Sequence, residues 1–408
     1  MSTKLEQLVN DSIRGCLMAG AAGDALGYTV EFISRNAIIA KYGKQGIHRF
    51  ELDSNGKALV SDDTQMTLFT ANGILMGVTR GYMRGIGGIP EDYIIYAYQD
   101  WYFTQNPREI KKDYYPYTWL FRLPEMYHRR APGITCLNAC KSFIQCKKVV
   151  NNSKGCGGVM RVAPLSLLLA GYASRGDSPY DTARLAEANA KIAQETHKHP
   201  LGFLPAALLG EVIYQVTLLS AEDAKSQIWD IATNSLSVLD SIYIGQYEKE
   251  KDYLKQLTQK AIALAKSDIS DIEAIMQLGE GWVAEEAWAV SLYCSLRHID
   301  SVEEAIIASV NHDGDSDSTG SITGNIMGAI YGYEHIKQLN LFCPKGHQLE
   351  ETLELSEIIL ALADDLTTSC IISEYDYSKV TPEKIQWYER YCEHRPIGIS
   401  SYKPINKR

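Results

Sequence analysis

The chain has 408 residues, a size that suits one large domain or two of ordinary length. Hydrophobic residues make up 45% and charged residues 22%, which excludes wholesale disorder. Forty basic against fifty acidic side chains leave a net charge of −10, so a protein that grips nucleic-acid backbones over a wide surface is disfavoured.

In chain order, the opening MSTKLEQLVNDSIRG is mixed in charge and lacks the basic-then-apolar order of a secretory signal. No apolar run reads as approaching the roughly 18–20 residues that span a bilayer, so no membrane partner is expected. Nine cysteines, an odd number without a CxxC pair, read as thiols in a reducing cytoplasm. Gly15, Ala19, Gly23 and Gly27 recur every fourth residue. The stretches from Gly73 to Pro90 and from Gln105 to Gly133 are rich in Gly, Pro and aromatics and read as excursions over the surface. Residues 181–197, 252–267, 285–299, 301–310 and 349–366 carry apolar side chains at i, i+3, i+4 and i+7, which predicts amphipathic helices. Gly320, Gly324, Gly328 and Gly332 form a second row. Each glycine inside a helix costs about 1 kcal/mol relative to alanine, so such rows need an offset, and close helix–helix approach supplies one. The membrane version of that packing fails, because Asp, Asn, Arg and Ser interrupt both segments. The pattern predicts an all-α fold. A single domain covers residues 1–370, and residues 371–408 form a C-terminal appendage packed on it, with one short helix (TPEKIQWYERYC) and a basic tail ending PINKR.

The familiar short motifs are missing: the sequence contains no GxxxxGK[ST], GxGxxG, HExxH or GxSxG. Two acidic clusters remain, Ser61-Asp62-Asp63-Thr64 and Asp313-Gly314-Asp315-Ser316-Asp317-Ser318. The first could be no more than an N-cap with acids at a helix start. The second resembles a calcium loop, but Ser318 stands where that loop needs glycine and Gly324 where it needs glutamate. Together they offer only oxygen donors, which select Mg²⁺ or Mn²⁺ over zinc or copper. So many carboxylates in one place would repel one another, and two metal ions would relieve that. The glycine-rich run Gly155-Cys156-Gly157-Gly158-Val159-Met160-Arg161, ahead of the apolar APLSLLLA, could bind an anion through backbone N–H groups or be an ordinary tight turn.

Seven segments in order resemble the ADP-ribosylglycohydrolase family: GCLMAGAAGDALGYTVEF, SDDTQMTLF, RRAPGITCLNA, KGCGGVMRVAPL, THKHP, GEGWVAEEAWAVSLYC and NHDGDSDSTGSITGNIMGAIYG. The resemblance implies a compact all-α, ADP-ribosylglycohydrolase-like domain with a dinuclear magnesium cleft, two Mg²⁺ with Mn²⁺ as an alternative. It assigns Ser61, Asp62, Asp63, Asp315, Asp317 and Ser318 as ligands, with Asp317 bridging. Glu31 matches a mobile glutamate near the scissile bond, Gly155, Cys156, Gly157, Gly158, Val159 and Met160 match a segment that holds the diphosphate of ADP-ribose, and His197 matches a histidine near the ribose. The implied activity is metal-assisted hydrolysis of the glycosidic bond between ADP-ribose and an acceptor. Arginine on a protein comes first, then serine, small conjugates or nucleobases. Asp62 or Asp63 would position or deprotonate the water, with Glu31 as the alternative acid/base. Two other readings are an inactive, crystallin-like or ADP-ribose-binding relative, and a different all-α dimetal nucleotide hydrolase. The chain departs from the family pattern at Asp313-Gly314, at the serines Ser316 and Ser318, and at Ile134; the stretch from about 220 to 270 and the residues beyond 370 carry no motif matched to the family.

Overall fold

Apolar periodicity and strong caps turn nearly the whole chain into helix. A capping box closes Thr3 with Glu6 at the first helix, and another closes Ser270 with Glu273. The computed structural model describes residues 3–84, 89–372 and 382–391. Among them every named element is an α-helix or a short 3-10 helix, and only two isolated bridges pair extended backbone, Ala58 with Leu353 and Gly155 with Val283. Four expected helices appear as Thr182–Gln194, Glu248–Ala265, Ala284–Arg297 and Val302–Val310.

Two helices form the centre. Every residue from Gly15 to Gly27 in Lys4–Tyr28 is buried, as is every residue from Ser316 to Ile330 in Ser316–Tyr331. A helix buried on all sides must pack by backbone approach as much as by side chains. A Cβ on Gly15 would collide with the Gly328 carbonyl, one on Gly23 with Gly320, and one on Gly27 with Ser316. Partner numbers fall as Gly15, Gly23 and Gly27 rise, so the helices run antiparallel. The C-terminal end of the first therefore meets the N-terminal end of the second.

Three expectations need correction. Residues 349–366 are not one helix but Leu349–Thr352 and Ser356–Ile372. The break forms because Ala58 N donates to the Thr352 carbonyl at 2.9 Å while Glu354 N donates to the Ala58 carbonyl at 2.9 Å, and Leu355 takes a φ of 62°. The stretch from Gly73 to Arg84 is no surface excursion; it is the second half of the helix Asp62–Arg84. Its glycines serve close packing, since a Cβ on Gly73 would lie 2.7 Å from Ile94 Cα and one on Gly77 2.8 Å from the Pro90 carbonyl. Finally, the continuous stretch Cys156–Ser174, 19 residues of mean hydropathy 1.3, is long and apolar enough to cross a membrane, but 83% of its most apolar window is buried inside the protein.

The helix Ser356–Ile372 runs two residues past the expected boundary at 370. The helix Pro382–Tyr391 lies against Asp62–Arg84, where Trp387 Nε1 donates to Thr79 Oγ1 at 2.8 Å and Tyr391 is fully buried. The rest of the appendage, including the basic tail, lies outside the described residues.

Candidate active site

The first acidic cluster owes its geometry to a residue on another element. Asp24, fully buried near the end of the first helix, accepts Ser61 N at 2.9 Å, Thr64 N at 3.0 Å and the Thr64 hydroxyl. It thereby caps Asp62–Arg84 from outside and fixes where that helix begins. Ser61 Oγ accepts Asp63 N at 3.1 Å, so the local cap expected from the sequence exists beside it. Asp62 N donates to the Arg130 carbonyl at 3.0 Å and Asp62 Oδ2 accepts Gly133 N at 3.2 Å, which ties the RRAPG segment to the cluster.

The second cluster is an N-terminus with its own cap. Asp315 Oδ1 accepts Ser318 N at 3.2 Å, and Asp317 Oδ1 accepts the same N–H at 3.0 Å. Asp315 N donates to the Glu280 carbonyl at 2.9 Å. Gly314, at a φ of 144°, stands where a Cβ would strike that same Glu280 carbonyl, so the departing Asp313-Gly314 pair keeps the one glycine the turn requires.

The antiparallel register of the central helices brings these clusters together. Burial first, and then the charges of Asp315, Asp62 and Asp24, push Glu31 up to about 9. Burial likewise lifts Asp62 to about 8, opposed by its Gly133 hydrogen bond and aided by Asp24 and Asp315. Asp63 is held well above the usual carboxylate range by burial, Asp24, Asp62 and Asp315, and Asp317 by burial, Asp315, Asp63 and Glu31. Asp24, at about 6, is raised by burial against its four stabilising hydrogen bonds. Six buried carboxylates from three separate stretches thus form one repelling group.

The glycine-rich run is a six-residue 3-10 helix, Cys156–Arg161, and it borders this group. The Cys156 thiol donates to Asp315 Oδ2 at 2.7 Å, and Ser318 Oγ lies 4.0 Å from Met160 Sδ. Cys156 N donates to the Trp282 carbonyl at 3.2 Å and Ala284 N to the Lys154 carbonyl at 2.8 Å, which pins the start of the run. The His197 ring lies across the glycines. A Cβ on Gly155 would stand 3.3 Å from Nε2, one on Gly157 3.3 Å from Cε1 and one on Gly158 3.3 Å from Nδ1. Val159 and Met160 are buried, and Met160 Sδ is a side-chain atom of the run that approaches Ser318. The structure therefore assembles Glu31, Ser61, Asp62, Asp63, Asp315, Asp317, Ser318, the 155–160 run and His197 around one place. Asp24 also belongs to it and escaped the sequence reading, which named Arg161 only as the last residue of the glycine-rich run.

Among the described residues no group of three or more His, Cys, Asp or Glu side chains stands ready-made as a metal cage. The donor chemistry still fits hard cations. Among the described residues Asp63 Oδ2 and Glu31 Oε2 are buried without a hydrogen-bond partner, and the mutual repulsion is of the kind that positive charge relieves. A separate cleft of ≈ 350 Å³, lined by none of these six carboxylates, lies between Ile38, Ile275 and Ile307.

These features define a class: an all-helical protein with a deep multi-carboxylate centre beside a glycine run. The model of the ADP-ribosylglycohydrolase family matches residues 5–373, and the chain belongs to that family. It is 26% identical over 218 residues to human (Homo sapiens) ADP-ribosylhydrolase ARH3, a match covering 49% of this chain and 57% of that protein. It is 23% identical over 336 residues to the ADP-ribosyl-[dinitrogen reductase] glycohydrolase of Rhodospirillum rubrum, covering 80% and 88%. The chain thus spans little more than half the length of the ARH3 relatives it matches. A solved ADP-ribosylglycohydrolase-related protein complex shares the fold with a TM-score of 0.55 at 18% identity, covering 89% of this chain and 99% of that one.

Proposed function

We propose that this protein is a metal-dependent hydrolase that cleaves the glycosidic bond between ADP-ribose and an acceptor. The observation that carries the reading is the meeting of the Ser61–Asp63 and Asp315–Ser318 clusters in one buried centre, in a chain of this family. Ser61, Asp62, Asp63, Asp315, Asp317 and Ser318 would hold two Mg²⁺ or Mn²⁺ ions. When bound, such a pair activates water and binds vicinal hydroxyls of a ribose. The chain's own residues do the rest. Asp62 or Asp63 orients the attacking water and accepts its proton. Glu31 Oε2, buried and unpartnered, is set to exchange a proton at the leaving atom. The 155–160 run borders the carboxylates and suits the diphosphate through its backbone.

Mono-ADP-ribosyl-arginine on a protein is the acceptor we put first. Phe32, next to Glu31, is 70% exposed and stacks on Trp282 with ring centroids 6.3 Å apart, and Trp282 is itself 40% exposed. An exposed pair of aromatic faces beside the acids suits a planar cation such as a guanidinium. The test is release of free ADP-ribose from arginine-, serine- and small-molecule conjugates, read by mass spectrometry with Mg²⁺ and with EDTA. Magnesium-dependent release, lost in Asp62→Asn and Asp317→Asn, is expected. Binding of ADP-ribose without release from any conjugate would replace this reading with that of a binding protein.

A further inference from the structure

Arg161 is fully buried, yet it makes no ion pair among the described residues. A guanidinium in that position must spend its donors on neutral acceptors, or its desolvation is uncompensated. Nε donates to the Tyr98 hydroxyl at 2.8 Å, Nη1 to the Gly157 carbonyl, and Nη2 to Thr196 Oγ1 at 2.6 Å. One of these bonds fixes the glycine run from below. Another ends on the hydroxyl that touches His197.

The Thr196 hydroxyl has a single hydrogen and two places to send it: His197 Nδ1 at 2.8 Å, or the Ala193 carbonyl at 3.4 Å. The Ala193 carbonyl already accepts Thr196 N at 3.2 Å and His197 N at 3.0 Å, so both its lone pairs are engaged. Thr196 Oγ1 also takes a charged donor from Arg161, which polarises its hydroxyl toward donating. The hydrogen therefore goes to Nδ1, and a neutral imidazole that accepts at Nδ1 carries its proton on Nε2. The ring is neutral because burial and then the Arg161 charge push it down to about 3. His197 is 2% exposed, and Nε2 has no hydrogen-bond partner among the described residues; it faces the place where Gly155 lacks a side chain.

We infer that Arg161 and Thr196 are positioning residues that hold His197 in the Nε2–H tautomer, so that it serves as a fixed hydrogen-bond donor to a ligand oxygen on the 155–160 run. His197 is then neither base nor acid, and proton transfer stays with the carboxylates. The identity of the ligand rests on the ADP-ribose reading above; the tautomer does not.

The test uses the full chain labelled with ¹⁵N-histidine and long-range ¹H–¹⁵N correlation spectra at neutral pH, with the His197 signals assigned by their loss in His197→Gln. The Nε2–H pattern is expected in the wild type and in Thr196→Ser. Thr196→Val should shift the ring toward Nδ1–H. In calorimetric titration with ADP-ribose, Thr196→Ser should match the wild type and Thr196→Val should bind about tenfold more weakly, the loss of roughly one oriented hydrogen bond. An Nδ1–H ring in the wild type overturns the inference whatever the variants do, even if Thr196→Val fails to fold. So does a Thr196→Val protein that keeps both the Nε2–H pattern and wild-type affinity. Absence of ADP-ribose binding by a wild type that shows the Nε2–H ring would sink the ligand assignment and leave the tautomer standing.

Discussion

At the scale of single residues, Asp24 shows how a buried charge can be structural and still shape a site. Its carboxylate satisfies two backbone N–H groups at the start of Asp62–Arg84, and those groups have no water to turn to. Removing it orphans both donors and frees the end of the helix that carries Asp62 and Asp63. Asp24→Ala should therefore lower stability by about 2–4 kcal/mol, read by urea unfolding at constant m-value. Asp24→Asn keeps one acceptor oxygen and should lose less. Equal, small losses in both would show that Ser61 alone suffices as the cap. Nothing local in GDALG distinguishes Asp24 from an acid on a solvated face. Its partners, Ser61 and Thr64, lie in another segment, and the sequence carries no mark of that pairing.

At the scale of elements, the glycine rows are the feature the sequence showed best. A spacing of four is visible by eye, and the propensity cost calls for close packing whichever helix is the partner. The antiparallel register was not visible, because it depends on which backbone carbonyl meets which glycine. The same physics misled at Gly73 and Gly77, where glycines that admit the Pro90–Ile94 turn looked like loop residues. It also hid the break at Leu353–Leu355, since Ala58, the partner that pulls the backbone out of helix, is remote in sequence. The rows make a sharp prediction. Alanine favours helix over glycine by about 1 kcal/mol, yet at Gly23 or Gly320 its Cβ would overlap a backbone carbonyl that cannot step aside. Gly23→Ala and Gly320→Ala should each destabilise by about 3 kcal/mol, as overpacking does, measured by thermal or urea unfolding. A gain in stability in either would mean the helices are not in backbone contact.

At the scale of the whole molecule, the fold spends stability to hold its site. The sequence displayed two of the acidic stretches and the type of their donors. Glu31 was placed beside them by the family resemblance alone, and Asp24 by nothing in the sequence, because their approach follows from Gly27 lying against Ser316. The resulting group of buried carboxylates is mutually repelling, and Asp63 Oδ2 has no hydrogen-bond partner among the described residues. Two consequences with opposite signs follow. In the presence of EDTA, Asp63→Asn removes a repelling charge from the cluster and should raise stability by about 1 kcal/mol, as changes that relax a functional site commonly do. In the presence of Mg²⁺ the order should reverse. An ion that binds only the folded wild type at about a hundred times its Kd contributes about 2.7 kcal/mol, and a variant lacking one ligand forfeits most of that. Thermal melting of both proteins in EDTA and across a magnesium titration reads the crossing directly. Wild-type stability that does not respond to Mg²⁺ or Mn²⁺ would separate the acidic centre from metal binding, and Asp63→Asn melting below the wild type in EDTA would show that repulsion is not what the buried carboxylates experience.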